Sequence, residues 1–198
     1  GEGGLIATGD QSLWSRSWSL KDHGKDIKLL SDKPKLGPKF PMVHGSLGSN
    51  ARLTEIQAAI GVKQLGKLME WVDRRRTISI RLRNALSDIP DIVLPSFDGT
   101  LKSGGIAFNS AYRCYALVPE SVRNRFVTQL SSAGIPVNYG SCSEVYNETC
   151  FDFLQIDKSQ YVVAQKLARE SIAFSCHHTM SDSSVEYICD KIREIMRG

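Results

Sequence analysis

The stretch from Thr54 to Pro90 constrains the fold more than any other part of the chain. Thr54-Glu55-Ile56-Gln57 has the pattern of a capping box: the threonine oxygen takes a free helical amide and the glutamine reaches back to the threonine amide. Ile56, Ala59, Ile60, Leu65, Leu68, Met69 and Val72 follow at helical spacing, and Ile78, Leu82, Ala85 and Leu86 extend the stripe. Pro90 stops it, because proline has no amide to continue the ladder. The spacing predicts one long connecting helix over 56–90, with a bend where Gly61 and Gly66 weaken it. A helix of that length crosses between layers or domains.

The flanking patterns differ from each other. Gly4–Thr8 (GLIAT) is almost wholly apolar and reads as a strand buried on both faces. Asp10 is placed to cap a helix over Gln11–Leu20, with Leu13, Trp14 and Trp18 on one side. Asp22 to Ser49 is dense in Lys, Gly, Pro and Ser and has no period, which predicts a long irregular segment. Beyond Pro90 short elements alternate. Strands are expected at 91–95, 111–118, 135–139 and 172–175, and helices at 120–132, 159–171 and 181–196, with a Gly/Ser loop at 97–109. Along 111–118, Tyr112, Cys114 and Ala116 fall on one face and Arg113, Tyr115 and Leu117 on the other. Gly134 should end its helix and Ser181 should cap the last one. Together these elements predict an α+β fold with a small sandwich domain, its sheet mainly antiparallel and covered on one face. The first fifty residues read as the remnant of a different sheet.

Composition narrows the function classes. A chain of 198 residues can bury about 70% of its unfolded surface, so it needs no metal or disulfide staple. Its five cysteines are odd in number and lack CxxC spacing, which argues against a disulfide framework and a zinc ribbon. The net charge of +4 is spread out, apart from Arg74-Arg75-Arg76, so no basic stripe suggests a nucleic-acid partner. No apolar run approaches the ~18 residues of a membrane span, and no signal-peptide pattern is present. A soluble, cytoplasmic protein is the expectation.

Catalytic constellations are few. His177 and His178 are adjacent, so on a strand they would face opposite sides and could not share a metal; no metal site is predicted. His23 and His44 fall in the irregular segment and read as surface residues. Gly48-Ser49-Asn50-Ala51-Arg52-Leu53-Thr54 is more informative, because a glycine turn there leads into a capped helix. Asn50 and Arg52 stand beside that helix's positive end, where free amides and the dipole favour an anion. The alternative is that Asn50 only caps a turn.

GEGGLIATGD, the His23-Gly24 pair and GSNARLTEIQAAIGVKQLGKL together resemble the DegT/StrS aminotransferases. GSCSEVY at 140–146 and the late SIAFSCHHTMS resemble one branch of that family. The resemblance runs along nearly the whole chain. It implies a fold-type I, pyridoxal-phosphate-dependent transferase that aminates keto-sugar nucleotides, usually with glutamate as donor, and works as a homo-oligomer. It implies that residues 1–55 are the tail of the large cofactor-binding domain, 56–90 a long connecting helix and 91–198 the small C-terminal domain. The motif asparagine, here Asn50, would reach across a dimer to the cofactor phosphate of the neighbouring subunit. Arg52, Tyr139 and His177 fall in segments that resemble active-site margins. His178 departs from the proline common after the family's late histidine.

In the family the Schiff-base lysine lies a few residues before GEGG. Gly1-Glu2-Gly3-Gly4 opens this chain, without a methionine, and is an unusual start for a domain. The expectation is a C-terminal fragment of a longer enzyme, with no catalytic residue of its own and silent alone. Lys21, Lys25 and Lys28 could not replace that lysine without a different path of the chain. The competing expectation is a non-enzymatic oligomerisation or binding domain that kept the small-domain fold.

Overall fold

The structure is a computed structural model and describes residues 2–31, 42–96, 99–100, 106–107 and 109–197. The chain divides into two compact units, Gly1–Lys67 and Leu68–Gly198.

In the first unit Asp10 Oδ1 accepts from Ser12 N at 2.8 Å and Leu13 N at 3.0 Å, and helix α1 (Gln11–Lys21) starts there as its sequence predicts. A short helix α2 (Ile27–Ser31) follows, its first turn held by Asp26 Oδ1. The capping box is present: Thr54 Oγ1 accepts from Gln57 N, Gln57 Oε1 accepts from Thr54 N at 3.1 Å, and helix α3 (Glu55–Leu65) begins. Among this unit's described residues only Asp22, Gly24 and Val43 are buried. The strand expected at Gly4–Thr8 does not form, and Leu5 and Ile6 are 73% and 71% exposed. An apolar run becomes a strand only when a neighbour takes up its amides and carbonyls. Among the described residues no strand does so. Within the segment expected to be irregular, residues 32–41 lie outside the described residues.

The single helix expected over 56–90 is two. Helix α3 ends at Leu65, Gly66 and Lys67 form a turn, and α4 (Leu68–Ser87) starts afresh. Glycine is the weakest helix former after proline, and the break falls at the second of the two expected weak points.

In the second unit β1 (Gly99–Thr100) and β2 (Ile106–Ala107) form a two-residue antiparallel pair in the stretch read as a loop; residues 97–98, 101–105 and 108 of that stretch lie outside the described residues. The expected strand at 91–95 is reduced to one bridge, Val93 to Leu117. Then come β3 (Arg113–Leu117), α5 (Glu120–Ser132), β4 (Val137–Asn138), α6 (Val162–Glu170), β5 (Ser171–Ser175) and α7 (Asp182–Arg197). Three 3-10 turns between Val145 and Gln160 join β4 to α6, so the helix expected over 159–171 begins three residues late.

Strand β5 is central. The order is β3-β5-β4 with both pairings antiparallel, and Phe174 lies opposite Cys114 on one side and Val137 on the other. Cys114 and Ala116 are buried and their neighbours part-exposed, the alternation expected for 113–117. Helices α4, α5 and α7 cover this face through Ile78, Leu82 and Leu86, Phe126 and Leu130, and Val185 and Ile192, all inaccessible to solvent. The expectation of a sheet covered on one face is incomplete: Ala173 points away from Ile172 and Phe174 and is also fully buried. Ser184 N donates to Ser181 Oγ at 3.1 Å, the expected cap of α7, and Gly134 ends α5 with a φ of +76°. Cys176 lies beside this core, and burial, with Cys114 nearby, pushes its thiol up to about 12.

Phe174→Ala should lower unfolding stability by about 3–5 kcal/mol, the cost of a cavity at a site packed from all sides. Leu13→Ala, at a half-exposed position of α1, should change it by less than about 0.5 kcal/mol. Urea unfolding of the two variants against the parent checks both.

Candidate functional site

The GSNAR segment is laced onto the end of α1. Ser49 N donates to Leu20 O at 2.7 Å, His23 N to Ser49 O at 3.0 Å and Ala51 N to Lys21 O at 2.9 Å. Asp22 and Asn50 form an antiparallel bridge. Two glycines allow this approach. A Cβ on Gly48 would overlap Gly24 N and lie 2.6 Å from the His23 carbonyl carbon. A Cβ on Gly24, whose φ is +82°, would overlap Ser46 O. The distant HG and GSN motifs are therefore two halves of one backbone contact, which side chains would hold apart.

A polar relay runs across this contact. Asp22 is buried and lies 3.1 Å from Lys25 Nζ and 3.5 Å from Arg52 Nη1. Burial alone would raise its pKa; the Lys25 hydrogen bond and the Arg52 and Lys25 charges outweigh that and hold the carboxyl below the usual carboxylate range. Arg52 Nε then donates to Asn50 Oδ1 at 3.0 Å. That bond assigns the amide orientation, so Asn50 presents its Nδ2 donors outward. Nδ2 has no hydrogen-bond partner among the described residues. A pure donor of this kind fits a phosphate oxygen, which offers acceptors only. Asn50 and Arg52, both singled out by sequence, are brought together; Asp22, which anchors them, carried no sequence signal beyond its place in an irregular segment.

In the second unit Tyr139 and His177 are not brought together. Tyr139 follows β4, and its carbonyl accepts from Ser171 Oγ at 3.1 Å, at the start of β5. His177 lies beyond the opposite end of β5, at Ser175. Tyr139 is half exposed, with the Arg123 guanidinium 4.7 Å from its ring centroid.

His177 and His178 are not on a strand, so their expected opposite orientation does not hold. Their ring centroids are 4.4 Å apart, and His178 stacks on Trp71 of α4 at 4.5 Å with an interplanar angle of 17°. Burial, then the charges of His177 and Arg75, hold the His178 pKa below the ordinary histidine value. No group of three or more His, Cys, Asp or Glu that could hold a metal occurs among the described residues. No described helix is long and apolar enough to cross a membrane.

The model of the DegT/DnrJ/EryC1/StrS aminotransferase family matches residues 1–193. The chain belongs to that family. It is 25% identical over 199 residues to the dTDP-4-dehydro-2,3,6-trideoxy-D-glucose 4-aminotransferase of Saccharopolyspora spinosa, covering 98% of this chain and 48% of that protein. The fold matches the X-ray structure of an aminotransferase from Psychrobacter cryohalolentis with a TM-score of 0.82 at 25% identity, over 96% of this chain and 51% of that one. It also matches a Streptococcus pneumoniae structure described as a sugar aminotransferase in its PLP form, with a TM-score of 0.70 at 19% identity, over 96% and 45%. The chain spans about half the length of the curated relatives it matches. The relatives above thus include an aminotransferase named for a nucleotide sugar and a neighbour of the fold in its PLP form.

The backbone contact makes a prediction. Gly48→Ala should cost about 1–3 kcal/mol, as overpacking does, whereas Gly61→Ala, where a Cβ meets open space on α3, should gain about 1 kcal/mol. Thermal unfolding followed by tryptophan fluorescence separates them. The relay predicts a pH effect. Because Asp22 titrates lower when folded, its stabilisation is present above about pH 3.9 and is lost as pH falls through the folded value. Asp22→Asn should therefore be less stable than the parent at neutral pH, and the difference should shrink as pH falls below about 3.9; an unchanged difference on acidification would contradict the relay.

Proposed function

We propose that these residues are the C-terminal part of an aminotransferase that transfers an amino group, usually from glutamate, to a keto-sugar nucleotide. The Asn50–Arg52–Asp22 relay carries this reading, because it presents a fixed amide donor suited to a cofactor phosphate, within a family match that spans nearly the whole chain. Residues 1–55 are the tail of the large cofactor domain, 56–90 the connecting helical segment and 91–198 the small domain. Asn50 contacts the phosphate of a neighbouring subunit's cofactor in a homo-oligomer. Arg52 orients Asn50, and Tyr139 and His177 stand at the margins of the substrate site. Pyridoxal phosphate, when bound, supplies the electron sink that lets an amino group move between two carbon skeletons. We assign the role of holding it to none of Lys21, Lys25 and Lys28. No observation favours the non-enzymatic alternative.

The decisive experiment uses the full-length protein that carries this chain, with glutamate and a panel of 3-keto and 4-keto 6-deoxyhexoses linked to dTDP, UDP or GDP. Amination of one panel member is expected, and Asn50→Ala should weaken pyridoxal phosphate retention about tenfold, the loss of one hydrogen bond to a charged group. No amination across the panel, or unchanged retention, would overturn the corresponding assignment. The 198 residues alone should form no stoichiometric, borohydride-reducible pyridoxal adduct; one found at Lys21, Lys25 or Lys28 would place the cofactor amine inside this segment.

A further inference from the structure

The turn after β5 is held from α4 at two points. Arg74 Nη2 donates to Met180 O at 2.7 Å, and Met180 N donates to His177 O at 3.0 Å. Three residues earlier on α4, Trp71 stacks on His178, whose ring in turn lies 4.4 Å from that of His177. Stacking restricts Trp71 and His178 together, and the His177 ring lies against that pair, tilted by 33° to His178.

The tautomer of His177 is set as well. Thr179 N lies 3.4 Å from His177 Nδ1, and a backbone amide can only donate. An accepting Nδ1 satisfies this amide and also suits Thr179 Oγ1, 2.7 Å away. The network assigns the proton of the neutral ring to Nε2. His177 is exposed, and its Nε2 has no hydrogen-bond partner among the described residues.

We infer that Trp71 and His178 are positioning residues that hold His177 with Nε2–H as a hydrogen-bond donor to an oxygen acceptor of the sugar nucleotide. This rests on the placement of His177 at the substrate margin proposed above. The device is a relay of rings: α4 fixes Trp71, Trp71 fixes His178, and His178 fixes His177. His177 would touch substrate, while the other two act only through it.

The test uses the full-length protein, with imidazole 15N shifts and steady-state kinetics on the panel member it aminates. In the parent, His177 should show a single Nε2–H tautomer. Trp71→Leu and His178→Ala should give a mixture of tautomers and raise KM for the sugar nucleotide about fivefold, as loss of an aromatic pair would, with KM for glutamate unmoved. Trp71→Phe should restore both readouts, which a general loss of folding would not. A parent His177 protonated on Nδ1, or a Trp71→Leu that leaves tautomer and KM unchanged while His177→Ala raises KM, overturns the positioning role. If His177→Ala leaves KM unchanged, the placement of His177 at the substrate fails and this inference falls with it, while amination by the protein still stands.

Discussion

The double antiparallel pairing of β5 organises the second unit, since it draws Ile172, Ala173 and Phe174 out of water together. A strand buried on both faces must satisfy all its backbone groups within the protein, and β3 and β4 supply that on either side. Helices α4 and α7 then close over Phe174 and Ile172, and Arg74 and Arg81 of α4 meet Asp182 at the start of α7 at 2.9 and 3.0 Å. The turn carrying His177 joins the end of β5 to the start of α7. Its position therefore follows from burial in the core and from these ion pairs, although the turn itself is exposed.

The first unit works on a different principle. It has almost no apolar core among its described residues, and the GSNAR segment is held by backbone hydrogen bonds and by two glycines in contact. Asp22, held charged by Lys25 and Arg52, ties the segment from beneath. Order here comes from polar pairing, which is why a buried carboxylate sits behind an exposed amide.

Much of this was legible in the residues. Helices α1 and α7 and the Thr54 capping box follow from local capping chemistry, and α5 and α7 from a 3.6-residue period; both signals are encoded within a turn or two of chain. The faces of β3 follow from strict alternation. The GLIAT segment shows where such reading stops. Its composition suits a buried strand, yet strand formation depends on a partner that no local pattern supplies. The long helix failed for a related reason: the stripe continues through Gly66, but the ladder does not.

For the site, sequence by itself determined the family, through GEGG, HG and GSNARLTEIQAAIG, and it marked Asn50, Arg52 and His177. Within those motifs Gly24 and Gly48 are required by close backbone approach, so they stay readable in one dimension. Only the tertiary structure decided what holds each of them. Asp22 beneath Arg52, Gly24 against Gly48, and Trp71 stacked on His178 are pairs separated by 30, 24 and 107 positions. Contacts between residues so far apart arise from how the chain packs, and no spacing rule along it encodes them.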